Sequence, residues 1–192
     1  MTILTRDFYI RNDVVAVSKD LLGKVLYTNI NGCKTGGIIT ETEAYAGVND
    51  KASHAYNSLR TRRTEVMFME GGVTYVYLCY GIHHLFNVVT NQKDIPHAVL
   101  IRAIQPLEGV EEMLKRRKMV KINEKMASGP GTVSQALGIT TSLSGTSLNS
   151  SVIWIEDQGI VVQENQIAIG TRIGVDYAEE DALQPYRFNL IL

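Results

Sequence analysis

Two carboxylates and a tyrosine alternate within Thr40–Gly47, at Glu41, Glu43 and Tyr45. Because side chains alternate between the two faces of a β-strand, a strand here would place all three on one face. A carboxylate beside an aromatic ring suits a base that activates water next to a stacking surface. A solvent-facing glutamate pair at a sheet edge is the alternative interpretation. His54, nine residues after Tyr45, is equally open to a structural or surface role.

A second group of candidate residues lies in Tyr75–Gly81, which holds three of the nine tyrosines. Tyr75 and Tyr77 would share one face of a strand, whereas Tyr80 has the opposite parity and precedes a glycine that permits a turn. Core tyrosines on a strand are one interpretation. The other is a pair of aromatic groups, one that stacks a base in a pocket and one that enters a base stack.

Asn87 and Arg102 are polar residues set within two apolar runs, Leu85–Thr90 and Ala98–Ile104. Both runs are rich in β-branched residues and predict strands. A buried polar side chain needs hydrogen-bond partners, so these two residues are candidates for a polar site between strands.

Length and patterning predict one α+β domain over residues 1–192, with a curved antiparallel β-sheet and surrounding helices. Asn12 or Asp13 caps a helix that runs to Leu22 and ends at Gly23. Asn31-Gly32 predicts a type I′ hairpin turn, and a long polar loop follows from Gly47 to Thr64. The hairpin strands are Lys24–Ile30 and Cys33–Tyr45; further strands are predicted over Thr74–Tyr80, Leu85–Thr90, Ala98–Ile104, Val152–Ile155, Ile160–Val162 and Ile167–Val175, and helices over Glu108–Lys118 and Ser134–Leu137.

The net charge of −1 hides an uneven distribution, because residues 1–150 hold 17 basic and 13 acidic side chains, and residues 151–192 hold 2 and 7. Two basic clusters could form a face for nucleic-acid phosphates, or a solvated surface. These clusters are Arg60, Arg62 and Arg63, and Lys115–Lys118 with Lys121 and Lys125.

The N-terminal residues, the length of the apolar runs and the number of cysteines predict a cytoplasmic protein. The first ten residues include Arg6 and Asp7 and lack the apolar core of a signal peptide. No apolar run approaches the roughly 20 residues that span a bilayer. Cys33 and Cys79 are too few for a disulfide framework, so both are expected as reduced thiols.

Taken together, these positions resemble the alkyladenine (3-methyladenine) DNA glycosylase family in order and spacing, from about Leu4 to Leu190. Each motif alone is short, but many positions match without gaps. The matching residues are Glu41–Tyr45, His54, Met67-Phe68, Tyr75–Tyr77, Tyr80-Gly81, Asn87, Arg102-Ala103, Pro106–Gly109, Ser128–Pro130 and Gln135–Leu137.

The resemblance implies a role for each residue in excising a damaged purine. Glu43 matches the general base that deprotonates the attacking water, on the face of the sugar opposite the leaving group. Arg102 matches a neighbour of that water and is expected to keep Glu43 ionised.

The other matched residues imply base binding and duplex opening. A base inside a duplex is out of reach, so the nucleotide must be flipped out. Tyr45, His54 and Tyr77 match the walls that sandwich the flipped base, which is favourable for cationic alkylated purines. Asn87 matches a residue that crowds the exocyclic amino group of guanine, and Tyr80 matches the residue that intercalates into the duplex.

The expected enzyme is thus a monofunctional glycosylase in base excision repair, which uses no cofactor and no metal. Its partner is double-stranded DNA with an alkylated or deaminated purine, and a monomer without an obligate protein partner or membrane contact is expected. In a bacterium it would associate with the nucleoid. The resemblance leaves open the preferred lesion: 3-methyladenine, 7-methylguanine, hypoxanthine or ethenoadenine. It also gives no role to His83-His84, and Arg62 and Glu65 depart from the common family pattern.

Three other functions fit parts of the sequence. A metal-dependent hydrolase is disfavoured because His83 and His84 would point apart on a strand and no HExxH motif is present. A non-catalytic nucleic-acid-binding module would keep the tyrosines and basic clusters without needing Glu43. A ligand-binding β protein is disfavoured by the arginine-rich loop beside the aromatic segment.

Overall fold

The computed structural model describes residues 1–191, and nine strands of this part of the chain form one antiparallel sheet. The predicted α+β class is therefore confirmed. Leu192, the last residue of the predicted domain, lies outside the described residues. In chain order the elements are β1 (Thr2–Ile3), α1 (Arg6–Tyr9), α2 (Val14–Asp20), β2 (Val25–Ile30), β3 (Cys33–Tyr45), β4 (Thr74–Cys79), β5 (His83–Thr90), β6 (His97–Glu108), α3 (Val110–Arg117), α4 (Pro130–Leu137), β7 (Ile153–Asp157), β8 (Ile167–Gly170) and β9 (Arg187–Leu190).

The sheet has the order β1-β7-β2-β3-β6-β5-β4, and β9 pairs with both β3 and β8. β3 is its central strand, since it pairs with β6 along one edge and with β2 and then β9 along the other. Register shifts interrupt the β3–β6 ladder between Ile39 and Thr42. Such irregularities bend a strand and raise its twist, as expected for a curved sheet.

A helix cap and a tight turn determine the structure of the first part of the chain. The Asp13 carboxylate accepts hydrogen bonds from the backbone N–H groups of Val15 and Ala16, at 2.9 and 3.0 Å, and so caps α2. Asp13, rather than Asn12, is thus the cap. Asn31 and Gly32 both have positive φ, at 54° and 78°, which confirms the predicted type I′ turn.

Apolar burial joins the helices to the sheet. α2 packs against β3 and β6, and α4 packs against β5, β6 and α3. One large core includes Val17, Phe86 and Ile101, all fully buried. A buried hydrogen bond of 3.0 Å between the Ser18 and Thr42 hydroxyls adds a polar contact between α2 and β3.

Several predicted boundaries were wrong. Ile160–Val162 is not a strand, because Ile160 and Val162 pack beside Gly23 instead of pairing with a neighbour. The strand predicted over Ile167–Val175 ends at Gly170. Glu108 belongs to β6, so α3 begins after Gly109, and α4 begins four residues before the predicted Ser134. The short elements β1, α1 and β9 were not predicted.

Candidate active site

Glu41, Glu43 and Tyr45 lie on one face of β3, as predicted, and share a single network. The Tyr45 hydroxyl donates a hydrogen bond of 2.9 Å to Glu43 Oε2. Arg102, on the neighbouring strand β6, reaches both carboxylates: its Nε lies 3.3 Å from Glu41 Oε1 and its Nη1 3.4 Å from Glu43 Oε2. The sheet therefore brings the two predicted catalytic residues together.

Glu43 is fully buried, with 0% of the residue exposed. Its other oxygen, Oε1, accepts a hydrogen bond of 2.8 Å from the backbone N–H of Ile173. Burial raises the pKa of the Glu43 carboxyl, and the charge of Arg102 and the hydrogen bonds from Ile173 and Tyr45 oppose that rise. Arg102 thus acts in the expected direction, but burial outweighs it and the net pKa is raised.

Glu41, the other candidate carboxylate, serves as an anchor for arginines. Besides Arg102, it accepts a hydrogen bond of 3.1 Å from Nη1 of Arg187 on β9. Two guanidinium groups thus converge on Glu41, whereas a tyrosine, an arginine and a backbone N–H surround Glu43. This difference separates two carboxylates that look alike in sequence.

An open cavity of about 590 Å³ adjoins this network, and Tyr45, His54 and Tyr77 all line it. The rings of His54 and Tyr77 lie 4.6 Å apart between centroids, at an interplanar angle of 76°. Tyr75 lies on the same face as Tyr77, 5.5 Å away, and its hydroxyl is 2.8 Å from His54 Nδ1. The predicted aromatic wall is thus assembled around one space.

His54 is neutral near pH 7. Burial, and to a smaller extent the positive charge of Arg63, lowers the pKa of His54 from 6.5 to about 4. Burial also raises the pKa of Tyr77. The aromatic wall therefore presents uncharged rings to the cavity.

Asn87 also lines the cavity and is 4% exposed. Its Nδ2 donates to the backbone carbonyl of Tyr75 at 3.1 Å, across the β4–β5 pair. The partner that a buried amide requires is therefore present, and it holds the Asn87 side chain against the strand that carries the tyrosines.

Tyr80 projects from the turn between β4 and β5 and is 91% exposed. Tyr80 and Gly81 have φ values of 51° and 73°, and the N–H of Ile82 donates to the carbonyl of Cys79 at 3.1 Å. The turn is therefore a type I′ turn with a non-glycine residue in the left-handed region, a conformation that costs roughly 1–2 kcal/mol. Leu78 and Ile82, 45% and 71% exposed, lie two residues to either side of Tyr80 in the chain, so this end of the hairpin exposes three large apolar side chains.

Arg172 and Asp50 were not predicted as site residues, although both support Tyr45. Arg172 Nη1 and Nη2 lie 2.5 and 2.9 Å from the two oxygens of Asp50, in a buried ion pair. The Arg172 guanidinium also lies 4.9 Å from the Tyr45 ring centroid and 3.0 Å from the Ala44 carbonyl oxygen. The available signal was an arginine in a predicted apolar strand, the same signal that marked Arg102.

The predicted basic clusters are only partly free for phosphates. Arg60 pairs with Glu65 at 2.8 Å and with Asp94 at 2.9 Å, so the departure at Glu65 neutralises one cation of the first cluster. In the second cluster, Arg116 and Arg117 donate to the carbonyls of Ala136 and Met126, at 3.2 and 2.9 Å. The lysines of that cluster, Lys115, Lys118, Lys121 and Lys125, are exposed.

His83 and His84, to which the family resemblance gives no role, lie on β5 and make different contacts. His83 lines the cavity and packs against Gly131 at the start of α4. His84 Nδ1 accepts a hydrogen bond of 3.2 Å from the backbone N–H of Thr141. Within residues 1–191, no group of three or more His, Cys, Asp or Glu side chains is arranged to hold a metal ion, and no helix in this range is long and apolar enough to cross a membrane.

Comparison of the sequence with those of known proteins identifies a family that matches nearly the whole chain. Residues 7–191 match the sequence model of the methylpurine-DNA glycosylase family. The chain belongs to this family. The predicted family is thus confirmed, and with it the predicted class of enzyme, a DNA N-glycosylase.

Bacterial relatives align with this methylpurine-DNA glycosylase family member over nearly its whole length. A protein of Chlamydia abortus is 47% identical over 191 residues, covering 97% of both chains. A protein of Clostridium perfringens is 46% identical, covering 92% of this chain and 90% of the relative. A protein of Bacillus cereus is 44% identical, covering 94% and 92%. Each is named "Putative 3-methyladenine DNA glycosylase".

The lowered pKa of His54 predicts acid sensitivity. Between about pH 6.5 and 4 the unfolded chain binds a proton at His54 that the folded chain does not, so stability falls as pH falls through this window. We expect His54→Gln to remove this pH-dependent loss in the free energy of unfolding, which is on the order of 1–2 kcal/mol. This value is smaller than the full pKa shift implies, because the ring is partly exposed and solvent screens its charge. Urea unfolding of both proteins at pH 7, 5.5 and 4.5 measures it, and parallel pH dependences would contradict the prediction.

Proposed function

We propose that this family member, as one domain over residues 1–192, excises damaged purines from duplex DNA by hydrolysing the N-glycosidic bond with a water activated by Glu43. The observation that carries the proposal is the direct hydrogen bond between the buried Glu43 carboxylate and Tyr45, an aromatic wall of the cavity. One arrangement thus joins a base for water to a surface that stacks a purine. The names of the relatives point to 3-methyladenine as one substrate.

The chemistry follows from the nature of the leaving group. Departure of a purine leaves an oxocarbenium-like sugar, and a carboxylate on the opposite face deprotonates the water that attacks it, as in inverting glycosidases. Because the pKa of Glu43 is raised, its carboxylate is a stronger base than an exposed glutamate. Arg102 contacts the same Oε2 and orients it. Tyr45, Arg102 and Ile173, the three hydrogen-bond partners of Glu43, all line the cavity, so the attacking water reaches Glu43 from the cavity side.

The cavity suits a flipped purine ring. Tyr45, Tyr77 and the neutral His54 provide ring faces, which attract a purine that carries positive charge after alkylation. Asn87, held by its hydrogen bond to the Tyr75 carbonyl, gives selectivity by crowding the exocyclic amino group of guanine. Since an alkylated base leaves with its charge neutralised, the reaction needs no metal, and full activity in a chelator is expected.

The proposed reaction ends with an abasic site. Strand cleavage by a glycosylase requires an amine that forms a Schiff base with the sugar, and among residues 1–191 no lysine lines the cavity. We therefore expect intact strands until alkali is added. The enzyme acts as a monomer in the cytoplasm, at the DNA, and this reaction requires no protein partner.

The Tyr80 turn provides the wedge that opens the duplex. Flipping a nucleotide costs a few kcal/mol of stacking and pairing, and an inserted side chain offsets part of that cost. Tyr80 is exposed at the tip of the hairpin whose strand β4 carries Tyr77. The hairpin therefore sets the distance between the wedge and the pocket.

A plain nucleic-acid-binding module would contact DNA without using Glu43, and Glu43→Gln separates the two functions. The amide fills the same space but accepts no proton, so excision should fall by about 10²–10⁴-fold while DNA binding is retained. Duplex oligonucleotides that each carry one lesion, followed by alkaline cleavage, measure the single-turnover rate. The matched control is Glu41→Gln, a change at the neighbouring carboxylate.

The pair of variants decides which carboxylate is the base. Retained excision by Glu43→Gln, together with loss in Glu41→Gln, would show that Glu41 has this role. Binding of lesion DNA by the wild-type protein without release of any base would instead favour the binding module.

Tyr80→Ala should impair opening more than chemistry. Excision of a lesion in a fully paired duplex should fall most, by about tenfold or more. The same lesion in a mispaired or single-stranded context should lose less, because opening is already cheap there. Tyr80→Phe keeps the ring and should behave like the wild type. Equal losses of Tyr80→Ala in both contexts would place Tyr80 in the pocket chemistry instead.

A further inference from the structure

Arg63 occupies a place in the site that the proposed mechanism does not use. Its guanidinium carbon lies 4.9 Å from the centroid of the Tyr77 ring. Its Nη2 lies 3.2 and 3.4 Å from Nε2 and Nδ1 of His54. Arg63 also lines the cavity. A positive charge thus rests against two of the aromatic walls assigned to the flipped base.

The charge of Arg63 is not neutralised by the protein. Arg102 and Arg172 each have carboxylate partners, as does Arg60 three residues earlier. Among residues 1–191, no carboxylate lies within ion-pair distance of Arg63. His54, a titratable neighbour of Arg63, is neutral near pH 7, so the cavity keeps the full positive charge of Arg63.

We propose that Arg63 is a specificity-determining residue that favours neutral damaged purines over cationic ones. The proposal rests on the proposed function and identifies a residue that shifts the preference of the same cavity between two classes of damaged purine. A cationic base is attracted to the Tyr77 ring, which the guanidinium already contacts, and the two like charges repel each other when both lie at the cavity. Arg63 therefore reduces the advantage that the aromatic wall gives to an alkylated base.

A neutral purine gains from the same group. Guanidinium N–H groups are donors only, and a deaminated purine such as hypoxanthine presents acceptors at N3, N7 and the carbonyl oxygen O6. A donor that carries a full charge forms a stronger hydrogen bond than a neutral one. It also stabilises the negative charge that develops on a neutral purine as the glycosidic bond breaks, whereas a cationic purine develops no such charge.

The test compares two substrates in one duplex sequence, hypoxanthine as the neutral base and 7-methylguanine as the cationic base. The variant is Arg63→Gln, and the matched control is Arg62→Gln, which removes the same charge from the same exposed loop. Both substitutions weaken non-specific attraction to phosphates alike. Single-turnover excision rates and thermal unfolding are measured for each protein.

Relative to Arg62→Gln, we expect Arg63→Gln to lower the hypoxanthine rate about tenfold and to leave the 7-methylguanine rate unchanged or raised. A tenfold effect is the size of one charge–ring or charged hydrogen-bond contact, about 1.4 kcal/mol. Arg63→Lys keeps the charge and should stay nearer to the wild-type preference than Arg63→Gln does.

The outcomes distinguish failure of the role of Arg63 from failure of the proposed glycosylase function. Equal changes of both rates in Arg63→Gln and Arg62→Gln would overturn the role of Arg63 and leave the glycosylase intact. A fall of the 7-methylguanine rate as large as that of the hypoxanthine rate would overturn it as well. Release of neither base by the wild-type protein would overturn the proposed function, and this inference with it.

Discussion

The Glu43 carboxylate is fully buried, and its oxygens are held by one neighbour on its own strand and by two groups from distant parts of the chain. Tyr45 follows it on β3, Arg102 comes from β6, and the Ile173 N–H comes from the segment after β8. An ionised carboxylate without such partners would cost several kcal/mol in the interior. The position of β3 at the centre of the sheet is what allows all three groups to converge.

A second set of contacts holds the partners of Glu43 in position. Glu41 holds Arg102 and Arg187, which ties β6 and β9 to β3. Asp50 holds Arg172, which lies against the Tyr45 ring and immediately precedes Ile173. The buried ion pairs therefore serve position more than stability, since they contribute little net energy when compared with apolar packing.

The sequence predicts the parts of this arrangement that depend on local geometry. Alternation in β3 places Glu41, Glu43 and Tyr45 on one face, and the positive φ values of Asn31-Gly32 set the hairpin that leads into it. The contacts of Arg172 with Asp50 and of Ile173 with Glu43 span 122 and 130 residues, and no spacing rule predicts them. Strand β9 was missed because its four residues include Arg187 and Asn189, and its place in the sheet comes from pairing with β3, which is distant in the sequence, and with β8, which is short. The ion pair between Arg60 and Asp94 is likewise formed only by folding, so the spacing of the two residues does not predict it.

In the proposed mechanism the catalytic base is the buried Glu43, whose pKa is raised by burial and lowered in part by Tyr45. The most direct measurement is the pH dependence of single-turnover excision of 7-methylguanine, a cationic base whose departure needs no added proton. We expect an acidic limb with a pKa above 4.5, the ordinary glutamate value, and a further upward shift in Tyr45→Phe, which keeps the ring but removes the hydrogen bond. A limb at or below 4.5, or one that Tyr45→Phe leaves unmoved, would contradict it.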